Sequence, residues 1–225
     1  VFDPYPREVD IDPYPLYKTL RDDYPCYWSE LGDCWVLTRY EDIYNAGRNW
    51  EVFSSAKGNM LDDIPERAGS TLGTTDPPRH DRLRSLVQYA FAKRGLEYLV
   101  EPIKAITNQV IDQFIDKGEL EFVNDFSSPV TVGVLSILIG MPMEDQEVLR
   151  KNIVSILSTD PETRQKTAES MASFEWLKNY TGELLEKHKL ERPDDLLTRL
   201  LEAEIDGDKL LDREIQMTSL TLIMA

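Results

Sequence analysis

Positive charge is scarce in this sequence. Against 41 Asp and Glu it carries only 25 Lys and Arg, a formal net charge of −16 and a pI near 4.5. That balance speaks against a general binder of nucleic acid or of anionic membrane. Cysteine and histidine are scarcer still. Cys26 and Cys34 form neither a C-x-x-C pair nor a metal cluster, and two such thiols suit a reducing cytosol as inert groups. His80 and His188, the two histidines of the chain, are too few for a His-rich metal site. No window approaches the roughly 18 consecutive apolar residues of a membrane span. The opening VFDPYPREVD lacks the basic and apolar regions of a signal peptide. Together these absences predict a cytoplasmic chain without membrane or nucleic-acid partners.

What is present is mostly helical pattern. The 225 residues, 41% of them hydrophobic, suffice for the core of one large domain or two small ones. Residues 1–15 are rich in proline and aromatics and read as an extended arm. PLYKTLRDD reads as a short helix. CYWSELGDCWVLTRY reads as a hairpin turning at LGD, and YEDIYNAGRNWEVF as a helix. Residues 54–75 show no periodicity and read as a long loop. Residues 96–116 place Leu99, Ile103, Ile106, Val110, Ile111 and Phe114 on one helical stripe. The stretch 125–142 is apolar almost all round and reads as a buried helix stopped by Gly140 and Pro142. MEDQEVLRKNIVSIL is the next helix, followed after Pro161 by a long amphipathic one over 162–190. RPDDLLTRLLEAE is another helix, IDGDKL a small turn or hairpin, and Asp212 caps a last, apolar helix that ends at Ala225 in mid-pattern. An ending of that kind reads as a cut within a longer protein.

The most informative stretch is TTDPPRHDRLRSLVQYAF, residues 74–91. Asp76 suits an N-cap and Pro77 a first helical position. Leu83, Leu86, Val87, Ala90 and Phe91 then fall on one helix face. His80 and Arg84, four apart, are surface neighbours at the flank of that face. Two adjacent cationic donors call for an anion between them, and a carboxylate is the natural one. An acidic residue of this chain would satisfy the pair equally well. Residues 76–95 carry a net +3 while the remainder carries −19, so this patch either receives an acidic protein or is an ordinary solvated face.

This stretch resembles the DPP-x-H-x-x-x-R segment of bacterial cytochromes P450, the haem-thiolate monooxygenases. FDPYP…YPLYKTLRDDYPCYW, WVLTRYEDI…NWEVFSS, ILIGMPMED and PDDLLTRLLEAEIDGDKLLDREIQMTSLTLIMA resemble, in order, further N-terminal regions of the same family. The resemblance implies a mainly α fold with a small β-hairpin region, the N-terminal half of the P450 fold. Residues 1–225 would then form a single, incomplete domain ending inside the central long helix. It implies haem b as cofactor, its propionates held by His80 and Arg84, and a ferredoxin or flavodoxin docking near Arg79, Arg82, Lys93 and Arg94. It implies a small hydrophobic or aromatic substrate, with Met60, Leu61, Ile64, Leu72, Thr221, Met224 and Ala225 as pocket candidates. Ile153, Leu157, Met171 and Phe174 would belong to a lid over 153–174. Neither Cys26 nor Cys34 lies in a ligand loop, so the axial cysteine is expected beyond residue 225 and no catalytic residue within the chain. Alone, the 225 residues are expected to be inactive. A monomer is expected. Two other readings stay open: an acidic helical module that binds a carboxylate through His80 and Arg84 without redox chemistry, and a truncated interaction protein of the same fold.

Overall fold

The computed structural model of the chain describes residues 9, 11–61, 63–92, 96–160 and 165–224. Most of the proline-rich arm, Lys93, Arg94, Pro161 and Ala225 lie outside them. The described chain is mainly helical, with two short antiparallel hairpins.

Helix α1 (Tyr14–Asp23) carries a proline in its first turn and buries Leu20. Strands β1 (Cys26–Ser29) and β2 (Cys34–Leu37) pair as Cys26↔Leu37 through Ser29↔Cys34. Asp33 takes the left-handed turn at φ 47°. Trp28 and Trp35 face each other across the ladder with ring centroids 5.2 Å apart. Both cysteines are free, and burial together with the Asp33 charge raises the Cys34 thiol pKa, which keeps the thiol protonated. Helix α2 (Tyr40–Arg48) stops earlier than the pattern predicts, because Asn49 leaves helical geometry at φ −105°, ψ 65°, and its carbonyl opens a separate turn that accepts from the amides of Val52 and Phe53.

The 54–75 loop is more ordered than its lack of periodicity suggests. It contains 3-10 turns at Pro65–Arg67 and Leu72–Thr74, and a reciprocal Thr71–Thr74 cap closes the second. Helix α3 (Arg79–Ala90) begins three residues after the expected cap. Asp76 does not cap it: its carboxylate accepts instead from the Ser55 amide at 3.1 Å and from the Ser54 hydroxyl, which ties the loop to the helix entry. The peptide bond between Pro77 and Pro78 is cis. Leu83, Leu86, Val87 and Ala90 are buried as the spacing predicts.

Helix α4 (Val100–Asp112) buries Ile106 and Val110, Leu99 is buried in the 3-10 turn just before it, and Ile103 remains 37% exposed. Helix α5 (Ser128–Ile139) follows a wide turn over Phe122–Ser127 and ends at Gly140, φ 72°. The expectation of burial all round holds on one face only, that of Gly133, Ser136 and Ile139. Phe122–Ile139 is also long and apolar enough, by length and composition, to cross a membrane, at a mean hydropathy of 1.5 over 18 residues. The run-based reading overlooked it because Asn124, Asp125 and scattered hydroxyls interrupt the apolar stretch.

Helix α6 (Gln146–Leu157) packs along α7 (Ala168–Glu191), the longest helix, capped by the Thr167 hydroxyl. Helix α8 (Leu196–Glu202) is capped by Asp195. The β3–β4 hairpin (Glu204–Ile205, Asp208–Lys209) turns at Asp206 and Gly207, both at positive φ. Helix α9 (Asp212–Met224) closes the fold. Asp212 is its first residue and pairs with Lys189 at 2.6 Å. One core joins α3, α7, α8 and α9 through Leu83, Leu86, Phe174, Leu177, Leu200 and Leu220, with Ile64 of the loop inserted.

Candidate functional site

The apolar stripe of α3 seats that helix in the core, and this fixes where its charged residues point. Arg82 is turned toward the C-terminal elements. Its Nε and Nη2 donate to Asp208 at 2.7 and 2.9 Å, its Nη1 to Glu214 Oε2 at 2.9 Å, and its Nη2 also to the Lys209 carbonyl at 2.6 Å. Glu214 is 6% exposed and accepts in addition from the Leu211 amide. Hydrogen bonds to Asp208 and Glu214 hold Arg82 protonated well above the usual arginine range. Arg79 donates to the Gly69 carbonyl at 2.7 Å and lies 3.6 Å from Glu214. Two of the four cations expected to meet a redox partner are therefore occupied within the chain, and the other two, Lys93 and Arg94, fall outside the described residues.

His80 and Arg84 point elsewhere. The His80 side chain is half-buried, with Nδ1 3.0 Å from Asp81 Oδ1, which leaves Nε2 as the nitrogen facing any ligand. Arg84, one turn on, is exposed and makes no hydrogen bond or ion pair among the described residues. Asp81 reaches only His80, so no acid of the described chain bridges the pair. His80 borders an open cleft of about 680 Å³ walled by Trp35, Leu37, Ile43, Trp50 and Phe53. An apolar, aromatic cleft with the His80 imidazole at its edge suits a flat apolar molecule that carries a hydrogen-bonding group.

The pocket candidates separate. Met60, Ile64 and Met224 line one small cavity together with Ile156 and Leu157. Ile64 is also a core residue at 2% exposed. Leu72 lies in the open cleft beside His80. Leu61 is exposed. Thr221 is half-buried and donates to the Met217 carbonyl of its own helix. Of the lid residues, Phe174 is fully buried and Ile153 and Met171 pack on the core, so only Leu157 reaches the cavity.

Two clusters escaped the sequence reading. Arg67 is 5% exposed, and its Nη1 donates to Asp63 Oδ1 at 2.6 Å. Its Nε is buried without a hydrogen-bond partner among the described residues. Only the four-residue spacing to Asp63 hinted at the pair. His188 Nε2 lies 2.8 Å from Asp195 Oδ2, and Nδ1 lies 2.8 Å from the Leu184 carbonyl, all buried. Desolvation pushes the His188 pKa down, but the Asp195 carboxylate and the Leu184 carbonyl outweigh it, and the net shift is upward. An N-cap reading of Asp195 before DLLTRLL was the available signal for this cluster.

Set among known proteins, this arrangement of helices is the N-terminal part of the cytochrome P450 fold. No family model matches the chain. Cytochrome P450 109 of Bacillus spizizenii is 28% identical over 218 residues, covering 95% of this chain and 52% of that protein. Nocardicin C N-oxygenase of Nocardia uniformis is 32% identical over 235 residues, covering 98% of this chain and 56% of that protein. The solved structure of cytochrome P450 PksS from Bacillus subtilis superposes with a TM-score of 0.84 at 26% identity, covering 100% of this chain and 57% of that one. The chain thus spans about half the length of the curated relatives it matches, and over nearly all of its own length it is similar to bacterial P450 proteins.

The residues present fit haem. His80 Nε2 and the Arg84 guanidinium, neither with a partner among the described residues, could each hold one of its two carboxylates, and the cleft that His80 borders is aromatic and aliphatic.

Proposed function

We propose that the chain is the cofactor-anchoring part of a haem-thiolate monooxygenase, which inserts one oxygen atom from dioxygen into a small hydrophobic or aromatic substrate. The observation that carries this reading is Arg84, a guanidinium without a partner among the described residues, one turn from His80, which borders an apolar cleft. His80 and Arg84 would hold the propionates of haem b by charge-assisted hydrogen bonds, with Asp81 fixing the imidazole orientation through Nδ1. Haem, when bound with a cysteine thiolate, supplies dioxygen activation. The thiolate would come from a part of the protein outside these 225 residues, because Cys26 and Cys34 sit on the peripheral hairpin. Met60, Ile64 and Met224 would contact the substrate, and the covering helices α6 and α7 would keep water from it. Electrons would come from a ferredoxin or flavodoxin. With Arg79 and Arg82 occupied, Lys93 and Arg94 are the docking cations left to this reading.

The test is a reduced, carbon-monoxide-bound absorption spectrum of the complete protein. A red-shifted Soret band supports the reading. Carboxylate binding without any haem band supports the non-redox module. His80→Ala with Arg84→Ala removes two charge-assisted bonds, each worth about 1.5–3 kcal/mol. Haem affinity should fall by at least about tenfold, and undiminished occupancy would sink the propionate assignment.

A further inference from the structure

Helix α3 meets the rest of the fold through the apolar stripe of Leu83, Leu86, Val87 and Ala90, all buried. At about 100° per residue, His80 and Arg84 border that stripe on one flank and Arg82 borders it on the other. Apolar burial is non-directional, so the stripe alone does not fix how far the helix is rolled about its own axis. A side-chain tip stands about 5–6 Å from a helix axis, and a roll of about 10° moves it by about 1 Å. Donors that grip a ligand must be held to within about 0.5 Å. A directional contact has to set the roll.

The Arg82 flank supplies one. The guanidinium donates to both Asp208 oxygens at 2.7 and 2.9 Å, to both Glu214 oxygens at 3.1 and 2.9 Å, and to the Lys209 carbonyl at 2.6 Å. These acceptors are themselves held. Asp208 and Lys209 are paired in the β3–β4 hairpin, and Glu214 is buried in the first turn of α9, where it accepts from the Leu211 amide at 3.0 Å. Arg79 does not duplicate the grip, since it lies 3.6 Å from Glu214 and gives its closer bond, at 2.7 Å, to the Gly69 carbonyl. On the opposite flank His80 Nδ1 meets Asp81 of the same helix, and Arg84 has no ion pair among the described residues.

We propose that Arg82 is a positioning residue for the cofactor: held by Asp208, Glu214 and the Lys209 carbonyl, it fixes the roll of α3 and so places His80 Nε2 and the Arg84 guanidinium on the other flank. The proposal rests on the reading of His80 and Arg84 as the donors to the haem propionates. Arg82 acts through those two residues and not by a contact of its own.

The test uses the complete haem-loaded protein and follows haem loss to an excess of a globin apoprotein by absorbance. Arg82→Lys keeps the charge, but an ammonium has no planar fork to span Asp208 and Glu214 together. Asp208→Ala, at an exposed position, removes two of the bonds, leaves Arg82 paired with Glu214, and carries the test if Arg82→Lys does not fold. Arg82→Lys should speed haem loss by about tenfold and Asp208→Ala by about threefold, within the range of coupled residues. In a background of His80→Ala with Arg84→Ala, where no donors are left to place, both effects should shrink to within about twofold. A role in stability alone would lower the urea midpoint and speed haem loss equally in both backgrounds, and that result overturns the proposal. So does haem loss that neither variant changes although His80→Ala with Arg84→Ala speeds it, an outcome that leaves the propionate reading standing. Haem loss that His80→Ala with Arg84→Ala leaves unchanged removes the propionate reading, and the positioning role falls with it.

Discussion

Replacing Gly140 with alanine tests the packing of the buried His188–Asp195 cluster. Gly140 ends α5 at φ +72°, a conformation that costs an L-residue about 1–2 kcal/mol. A Cβ there would fall inside contact distance of Asp195 Oδ2 and 2.6 Å from His188 Nε2. Neither partner is free to retreat, since His188 is tethered to the Leu184 carbonyl at 2.8 Å and Asp195 to the Thr198 amide at 3.0 Å. The methyl must therefore part the two or displace α8. Breaking a buried ion pair costs about 3–5 kcal/mol. Gly207 provides the control: its φ is +84° and nothing lies within 4 Å of its added Cβ. Gly207→Ala should cost about 1–2 kcal/mol. Gly140→Ala should cost at least about 2 kcal/mol more, because the pair is strained on top of the same backbone penalty. Urea unfolding followed by tryptophan fluorescence measures both. Costs agreeing within about 0.5 kcal/mol, the usual scatter of independent substitutions, would show that the cluster yields freely and would refute this account.

The same cluster sets a pH dependence. Both ring nitrogens of His188 face acceptors, so the imidazolium is the form that satisfies them, and its folded pKa lies above the unfolded value of about 6.5. The stability it contributes is fully present below that unfolded value and is lost as pH rises through the folded one. The urea midpoint should fall between pH 6 and pH 9, and His188→Gln should flatten that fall. Arg82→Ala leaves the buried Glu214 with the Leu211 amide and the longer contact to Arg79, and should cost about 1–3 kcal/mol. Arg79→Ala, with its side chain half exposed, should cost less than about 1 kcal/mol; equal losses in urea unfolding would overturn the ranking.

Much of the fold was legible because its helices announce themselves by spacing. Leu83, Leu86, Val87 and Ala90 predicted the buried face of α3, and Gly140 the end of α5. The errors fall where a tertiary contact overrides a local preference. Asp76 has the right chemistry for a cap, but Ser54 and Ser55, brought alongside by the preceding loop, claim its carboxylate first. The 54–75 loop looked featureless because its order comes from reciprocal hydroxyl bonds and one buried Arg–Asp pair, none of which has a period.

The candidate site shows the same limit more sharply. Arg82 and Arg84 are the same residue type two positions apart, and the sequence offers both as members of one basic patch. On a helix, two positions turn the side chain about 200°, so the two cannot share a partner. One direction leads to Asp208 and Glu214, more than 120 residues downstream, and the other to an exposed position one turn from His80, with no ion pair among the described residues. A count of charges treats the two alike. Which arginine is a strut and which stays unpaired depends on whether a carboxylate of the chain already answers it, and that is decided by the docking of α9 and the β3–β4 hairpin against α3. Folding answers Arg82 and leaves Arg84 without a partner among the described residues, which is why Arg84 rather than Arg82 is the donor we propose for a ligand.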